Sequence, residues 1–178
     1  AMLDSNRRAE QVHLGGGTPN FLTPGQIGEL LETLSRHFHF SQSPSRDFSI
    51  EIDPRCINKG DIEALAFMGF NRASLGVQDF DPAVQEAVNR IQTVEETQAV
   101  IDACRRNGFR SVNVDLIYGL PKQTQAGFAQ PLDTIVAMRP DRIAVYSYAH
   151  MPQLFKPQRQ LNADDLPDPE TKLALLQL

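Results

Sequence analysis

Three stretches of this chain alternate apolar and polar residues with a period of two. Phe48, Ile50 and Ile52 alternate with Ser49, Glu51 and Asp53; Ala73, Leu75 and Val77 with Ser74, Gly76 and Gln78; Val112, Val114 and Leu116 with Ser111, Asn113 and Asp115. Successive side chains of a strand point to opposite faces, so each stretch reads as a strand with one apolar and one polar side. Helical segments separate them, and strands joined by crossover helices run parallel. Two architectures meet that description, a doubly wound open sheet and part of a barrel. A doubly wound sheet is covered on both faces, and its strands read as nearly continuous apolar runs. A polar face throughout predicts instead a curved, barrel-like sheet whose apolar outside takes the helices and whose inside lines a polar cavity.

The segments between these strands carry the matching start and stop signals. Gln11 to Leu14 reads as a first strand, followed by an N-cap Thr23, a first-turn Pro24 and a capping-box Gln26. Ile27, Leu30, Leu31, Leu34 and Phe38 then recur at helical spacing, which predicts a helix with one face on the sheet. The next strand is Asp47 to Asp53, after which Asn58 caps a helix ending before Gly69. Arg72 to Gln78 is the third strand, and a short helix follows Asp81-Pro82. Thr93 and Glu96 form another capping box, opening a helix that stops at Gly108. Ser111 to Ile117 is the fourth strand, Thr124 to Met138 a helix that Pro131 should kink, and Arg142 to Tyr148 the fifth strand. The barrel-like domain is expected over residues 1–151, with 152–178 an extension holding a helix-like segment after Asp168-Pro169.

Acidic residues number 22 against 17 basic ones among 178, a formal charge of -5, so the chain carries no electrostatic footprint for nucleic acid. No apolar run approaches the roughly 20 residues of a membrane span, and no basic segment followed by an apolar one opens the chain. A soluble, cytoplasmic protein is expected. Cys56 and Cys104 lie far apart, match no metal-ligand spacing and are expected to be structural.

Both candidate architectures place ligands at the carboxyl ends of their strands. There, "HLGGGTPNFL" (His13 to Leu22) sets Gly15, Gly16 and Gly17 where missing Cβ atoms let the backbone turn sharply and let a ligand reach its N–H and C=O groups. Glu51, Gln78, Asp115 and His150 fall at or just beyond the same ends of the other strands, with Arg90 in the loop region after the third. A structural hydrogen bond is the competing reading for each taken alone. Their convergence on one mouth favours a site.

"GGGTP" (Gly15 to Pro19) resembles the glycine-rich motif of radical S-adenosylmethionine enzymes. "IEIDPR" (Ile50 to Arg55), "GVQDFD" (Gly76 to Asp81), "VNR" (Val88 to Arg90), "NVDLIYGLPKQT" (Asn113 to Thr124) and "YAHMPQLFKPQR" (Tyr148 to Arg159) together resemble the oxygen-independent coproporphyrinogen III oxidase family, over nearly the whole chain. Heme chaperones of the same superfamily share the glycine motif and the "DLIYGLP"-like strand, and heme binding and delivery without oxidase activity is the alternative function. They usually carry Asn-Pro, Ser and Gly where this chain has Asp53-Pro54, Asp79 and Asn89, and all three positions favour the oxidase.

The resemblance implies a fold, a chemistry and a set of contacts. The fold is a partial parallel (β/α) barrel of the radical S-adenosylmethionine type, incomplete in this chain. A reduced four-iron four-sulfur (4Fe-4S) cluster cleaves S-adenosylmethionine (SAM), and the resulting radical takes hydrogen from a propionate of coproporphyrinogen III, which loses carbon dioxide to leave a vinyl group on the way to protoporphyrinogen IX. Gly16, Gly17 and Thr18 match contacts to S-adenosylmethionine; Glu51 matches the acidic residue that helps hold a first cofactor molecule; Gln78, Arg90, Asp115 and Ala149 match contacts to a second. Carboxylates and an amide suit ribose hydroxyls and an ammonium, and a guanidinium suits a carboxylate. The partners implied are a small tetrapyrrole substrate and an electron donor, with the protein a monomer. The family's cluster cysteines, spaced C-x-x-x-C-x-x-C, precede the glycine motif, where this chain has none. The chain is therefore expected to be the middle of a longer enzyme, binding no cluster by itself and turning over no substrate.

Overall fold

The computed structural model describes residues 8–178; the start of the span expected for the barrel domain lies outside them. The elements in chain order are β1 (Arg8–Ala9), β2 (Gln11–Leu14), α1 (Pro24–Ser35), β3 (His39–Phe40), β4 (Asp47–Ile52), α2 (Lys59–Phe67), β5 (Arg72–Gln78), α3 (Pro82–Ala87), α4 (Val94–Arg106), β6 (Ser111–Tyr118), α5 (Gln125–Met138), β7 (Arg142–Ser147) and α6 (Pro169–Leu176). The short parallel pair β1–β3 was not legible in the sequence, because two residues are too few to show a period.

The main sheet has five parallel strands in the order β2-β4-β5-β6-β7. Each of these strands lies beside the one before it in the chain. Parallel crossovers are right-handed, so a sheet that never reverses its order collects its helices on one face. The doubly wound alternative requires a reversal and is excluded. The burial pattern agrees: Phe48, Ile50, Ile52, Leu75, Val77, Val112, Val114 and Leu116 are buried under the helices, and the intervening positions are half-buried. The sheet is an open arc of a barrel.

The helix ends follow the sequence signals closely. Thr23 with Gln26, Asn58 with Asp61, and Thr93 with Glu96 form capping boxes on α1, α2 and α4. Gly69 and Gly108 follow α2 and α4 at φ of 99° and 79°, a region that glycine enters without a Cβ clash. Helix α5 runs on through Pro131, whose ring is buried. Ile62 and Leu65 of α2 and Ile101 and Cys104 of α4 pack into the same core as Leu75 and Val114. Each fully buried side chain of this size contributes about 1.5–3 kcal/mol, and truncating one such as Leu75 to alanine costs about 2–5 kcal/mol.

Two departures have physical causes. Helix α1 buries only Ile27 and Leu31, whereas Leu30 and Phe38 of the expected apolar stripe are exposed. It covers an edge of the sheet, where one neighbouring element suffices to bury only a narrow stripe. On the opposite edge, Ile143 and Val145 of β7 stand beside Val114 and Leu116 in register, yet remain 43% and 45% exposed. No helix among the described residues covers that part of the face. In the segment after β7, Lys172 of α6 reaches back to donate its Nζ to the Tyr148 carbonyl at 2.7 Å, which ties this helix to the end of β7.

Candidate cofactor site

The glycine run does two different jobs. Gly16 and Gly17 have φ of 81° and 67°, and a Cβ on either would meet nothing within 4 Å. Their need is conformational, and the space over them is open. Gly15 has an ordinary φ, but a Cβ there would press on His13 Nε2 and lie 2.7 Å from Glu51 Oε1, so the ends of those two side chains would have to shift. The loop is drawn against β4 at that point: the Gly16 N–H donates to Glu51 Oε2 at 2.9 Å. Further along, Asn20 Nδ2 donates to the Asp53 carbonyl at 3.0 Å while the Asp53 N–H donates to Asn20 Oδ1 at 2.9 Å. The Asn20 amide thus imitates a strand neighbour at the end of β4.

On the concave side of the sheet, at the carboxyl ends of the strands, lies a cleft of about 140 Å³ lined by Gly17, Thr18, Glu51, Gln78, Arg90 and Asp115, with Asp53, Ser74 and Gly76 among them. Six of the eight predicted contact residues are therefore brought together. Gly16 adjoins them through its bond to Glu51. Ala149 does not line the cleft; it is exposed beyond β7, and its carbonyl accepts from Gln158 Nε2 at 3.0 Å. His150 is likewise absent from the lining and sits 3.4 Å from the Tyr148 hydroxyl through Nδ1. A larger hollow of about 550 Å³ occupies the amino-terminal half of the concave face, between His13, Ser49, Arg72, Asn113 and Tyr146. Parallel α/β sheets bind ligands at the other end, where crossover loops can be varied without disturbing the strands. The smaller cleft is below the roughly 300–1,000 Å³ of pockets that enclose a whole small molecule. It has room for only part of such a molecule, and the space over Gly16 and Gly17 beside it is open.

Each charged group in the cleft is held by neighbours on the same face. Asp115 Oδ2 accepts from the Ser74 hydroxyl at 2.7 Å and Oδ1 from Asn113 Nδ2 at 2.6 Å. Burial pushes its carboxyl above the usual carboxylate value, opposed by those two hydrogen bonds and assisted by the charge of Glu51. Arg90 donates Nη1 to Asp53 Oδ2 at 3.0 Å and Nη2 to the Gly76 carbonyl at 2.8 Å, and its Nε is buried without a partner. Asp53 also takes a bidentate contact from Arg55, with Nε at 3.0 Å and Nη2 at 2.7 Å. Burial pushes the Asp53 carboxyl up, but the hydrogen bonds from Arg55 and the charges of Arg90 and Arg55 outweigh it and hold the group below its ordinary value. Asp53 thereby fixes the Arg90 cation in a cleft that also holds the Glu51 and Asp115 carboxylates. Ser74 and Asn113 stood on the polar side of the alternation from the start, but period alone does not say that they would orient Asp115.

The donors and acceptors fit S-adenosylmethionine. Glu51 and Asp115 can accept from hydroxyls or an ammonium, the remaining Arg90 protons can meet a carboxylate, and the open backbone over Gly16 and Gly17 admits a ligand in close approach. An iron–sulfur cluster does not fit. Cys56 is exposed, Cys104 is fully buried in α4, and no group of three potential metal ligands occurs among the described residues. Burial pushes the Cys104 thiol up to about 12, which removes the thiolate that iron requires.

A model of the radical SAM superfamily matches residues 1–135. The chain is 53% identical over 175 residues to an oxygen-independent coproporphyrinogen III oxidase from Pseudomonas aeruginosa, which covers 98% of this chain and 38% of that protein. It is 45% identical over 177 residues to the Escherichia coli protein of the same name, covering 99% of this chain and 38% of that one. The solved structure of coproporphyrinogen III oxidase from Escherichia coli, described as a radical SAM enzyme, superposes with a TM-score of 0.91 at 46% identity, over 96% of this chain and 39% of that chain. The chain thus spans well under half the length of the relatives it matches.

Proposed function

The chain belongs to the radical SAM superfamily, and from that premise we propose that it forms the cofactor-binding strand ends of an enzyme that decarboxylates coproporphyrinogen III without oxygen. The observation that carries this reading is the convergence of Glu51, Gln78, Arg90 and Asp115 with the glycine loop in one cleft at the carboxyl ends of β2, β4, β5 and β6. Similarity to relatives named for that activity supplies the substrate, a tetrapyrrole with propionate side chains.

When bound, the cofactor supplies the radical chemistry, and the chain's own residues bind and orient it. In this reading Gly16, Gly17 and Thr18 offer backbone groups to S-adenosylmethionine, and Glu51 accepts from it while keeping its bond to the Gly16 N–H. Gln78, Arg90 and Asp115 hold a second molecule, with Ala149 closing on it from the loop beyond β7. The cluster's thiolates come from outside this chain, as does the electron donor, and the protein works as a monomer in the cytoplasm. The test is an anaerobic assay of the complete protein with coproporphyrinogen III, S-adenosylmethionine and a reduced cluster. Release of carbon dioxide with formation of vinyl groups is expected. Tight heme binding without decarboxylation would overturn the oxidase reading in favour of a heme carrier.

A further inference from the structure

At the end of β5 the backbone adopts a conformation that few residues tolerate. Gln78 has φ of 70°, and the Asp79 N–H donates to the Val77 carbonyl at 2.9 Å, closing a three-residue γ-turn of the rare, strained kind. A residue with a Cβ persists there only where its surroundings hold it.

The next residue is the anchor. Asp79 is 1% exposed, and its Oδ1 accepts from the Asp81 N–H at 2.8 Å while Oδ2 accepts from Gln123 Nε2 at 2.6 Å. Gln123, also buried, cannot easily turn away, because its Oε1 accepts from the Gly119 N–H at 2.6 Å and its Nε2 also donates to the Ile117 carbonyl at 3.0 Å. Gln85 Nε2 donates to the Asp79 carbonyl at 2.9 Å. Burial of this carboxylate opposes its charge, and among the described residues it has no cationic partner. A buried group of this kind is expensive to keep.

The turn decides where Gln78 points. β5 pairs with β6 as far as Gly76 opposite Asp115, then the register shifts so that Gln78 stands opposite Leu116. The Gln78 amide folds back over Gly76: a Cβ on Gly76 would lie 3.0 Å from Gln78 Nε2 and 3.3 Å from Arg90 Nη2. Without a side chain at position 76, the amide and the guanidinium share one wall of the cleft.

We propose that Asp79 is a positioning residue, whose buried carboxylate, held by Gln123 and the Asp81 N–H, locks the γ-turn that lays the Gln78 amide over Gly76 beside Arg90, where it meets the ligand. This rests on the reading above, in which Gln78 contacts S-adenosylmethionine. The test is calorimetric titration of the complete protein with S-adenosylmethionine, comparing Gln78→Ala, Asp79→Ala and the double variant, with the melting temperature of each. Each single variant is expected to bind roughly tenfold more weakly, and the double no more weakly than either, since both remove the same contact. A purely structural Asp79 would lower the melting temperature and leave the affinity of the folded protein unchanged, which overturns the positioning role alone, as do losses that multiply in the double variant. Full affinity in Gln78→Ala removes Gln78 from the site and overturns both readings. Should Asp79→Ala fail to fold, Asp79→Asn keeps an oxygen for the Asp81 N–H but turns an amide toward the Gln123 amide, and the same cycle is run with it.

Discussion

The Gly16 N–H donates to Glu51 Oε2 at 2.9 Å, so the glycine loop leaving β2 is tied to the end of the neighbouring strand β4 by the carboxylate that also faces the cleft. One oxygen orders the loop, and the other lies 3.5 Å from His13 Nε2. A residue placed this way links loop geometry to binding, and it is the natural place to perturb.

Glu51→Ala and Asp115→Ala should each weaken S-adenosylmethionine binding by the complete protein. A hydrogen bond to a charged group is worth about 1.5–3 kcal/mol, or roughly ten- to a hundredfold in affinity. Neither carboxylate packs in the apolar core, so the fold should lose less than a core truncation would. Calorimetric affinity and melting temperature, measured on the same samples, separate the effects. A large drop in melting temperature with unchanged affinity would assign both groups to structure only.

Asp115→Asn tests the electrostatics of the same group without removing its hydrogen bonds. The oxygen of an asparagine can keep the Asn113 contact, and its amide can donate to Ser74, whose hydroxyl is free to turn. Burial raises the Asp115 carboxyl above its ordinary 3.8, so the folded state holds this proton more tightly than the unfolded chain does. The parent's stabilisation from that proton is complete below 3.8 and is lost as pH rises through the raised folded value. The variant lacks this loss. Its melting temperature relative to the parent should therefore climb as pH rises from below 3.8 towards neutrality; a difference independent of pH would contradict the assignment.

Asp53 should behave in the opposite sense. Its carboxyl is held below 3.8 in the folded state, so it adds stability above that value, and the contribution fades as pH falls through the lower folded one. Asp53→Asn should cost about 1.5–3 kcal/mol at neutral pH through weakened bonds to Arg55 and Arg90, and less in acid. Unfolding in urea at several pH values reads both quantities. The variant should also release Arg90 from its fixed place, lowering cofactor affinity together with stability.

The two cysteines should differ sharply in reactivity. Cys56 is exposed, whereas the thiol of Cys104 is buried and pushed up to about 12. A thiol reagent should modify Cys56 alone in the native chain and both residues once it is unfolded, as mass spectrometry of the modified peptides would show. Reconstitution of this chain with iron and sulfide should yield no four-iron four-sulfur centre. Stoichiometric cluster binding that survives Cys56→Ser would contradict the ligand analysis.

Much of the architecture was legible because it rests on short-range rules. Period-two alternation marked the two faces of β4, β5 and β6, capping residues marked the helix starts, and glycines marked the ends of α2 and α4. Strand ends then followed, and with them the meeting of Glu51, Gln78 and Asp115 at one mouth, since parallel strands in sequential order bring corresponding ends together. Tertiary structure decided the remainder. Gln123 meets Asp79 across 44 residues of chain, and Arg90 meets Asp53 across 37, with no periodic signal to announce either pair. The γ-turn at Gln78 breaks the alternation that predicted its place, and the exposure of Leu30 depends on which elements lie opposite α1. Local backbone preference and side-chain period are written residue by residue, so the sequence alone determined the longer elements and the two faces of the central strands. Hydrogen-bond partners and burial depend on what the completed packing brings within reach, and only the folded chain decides them.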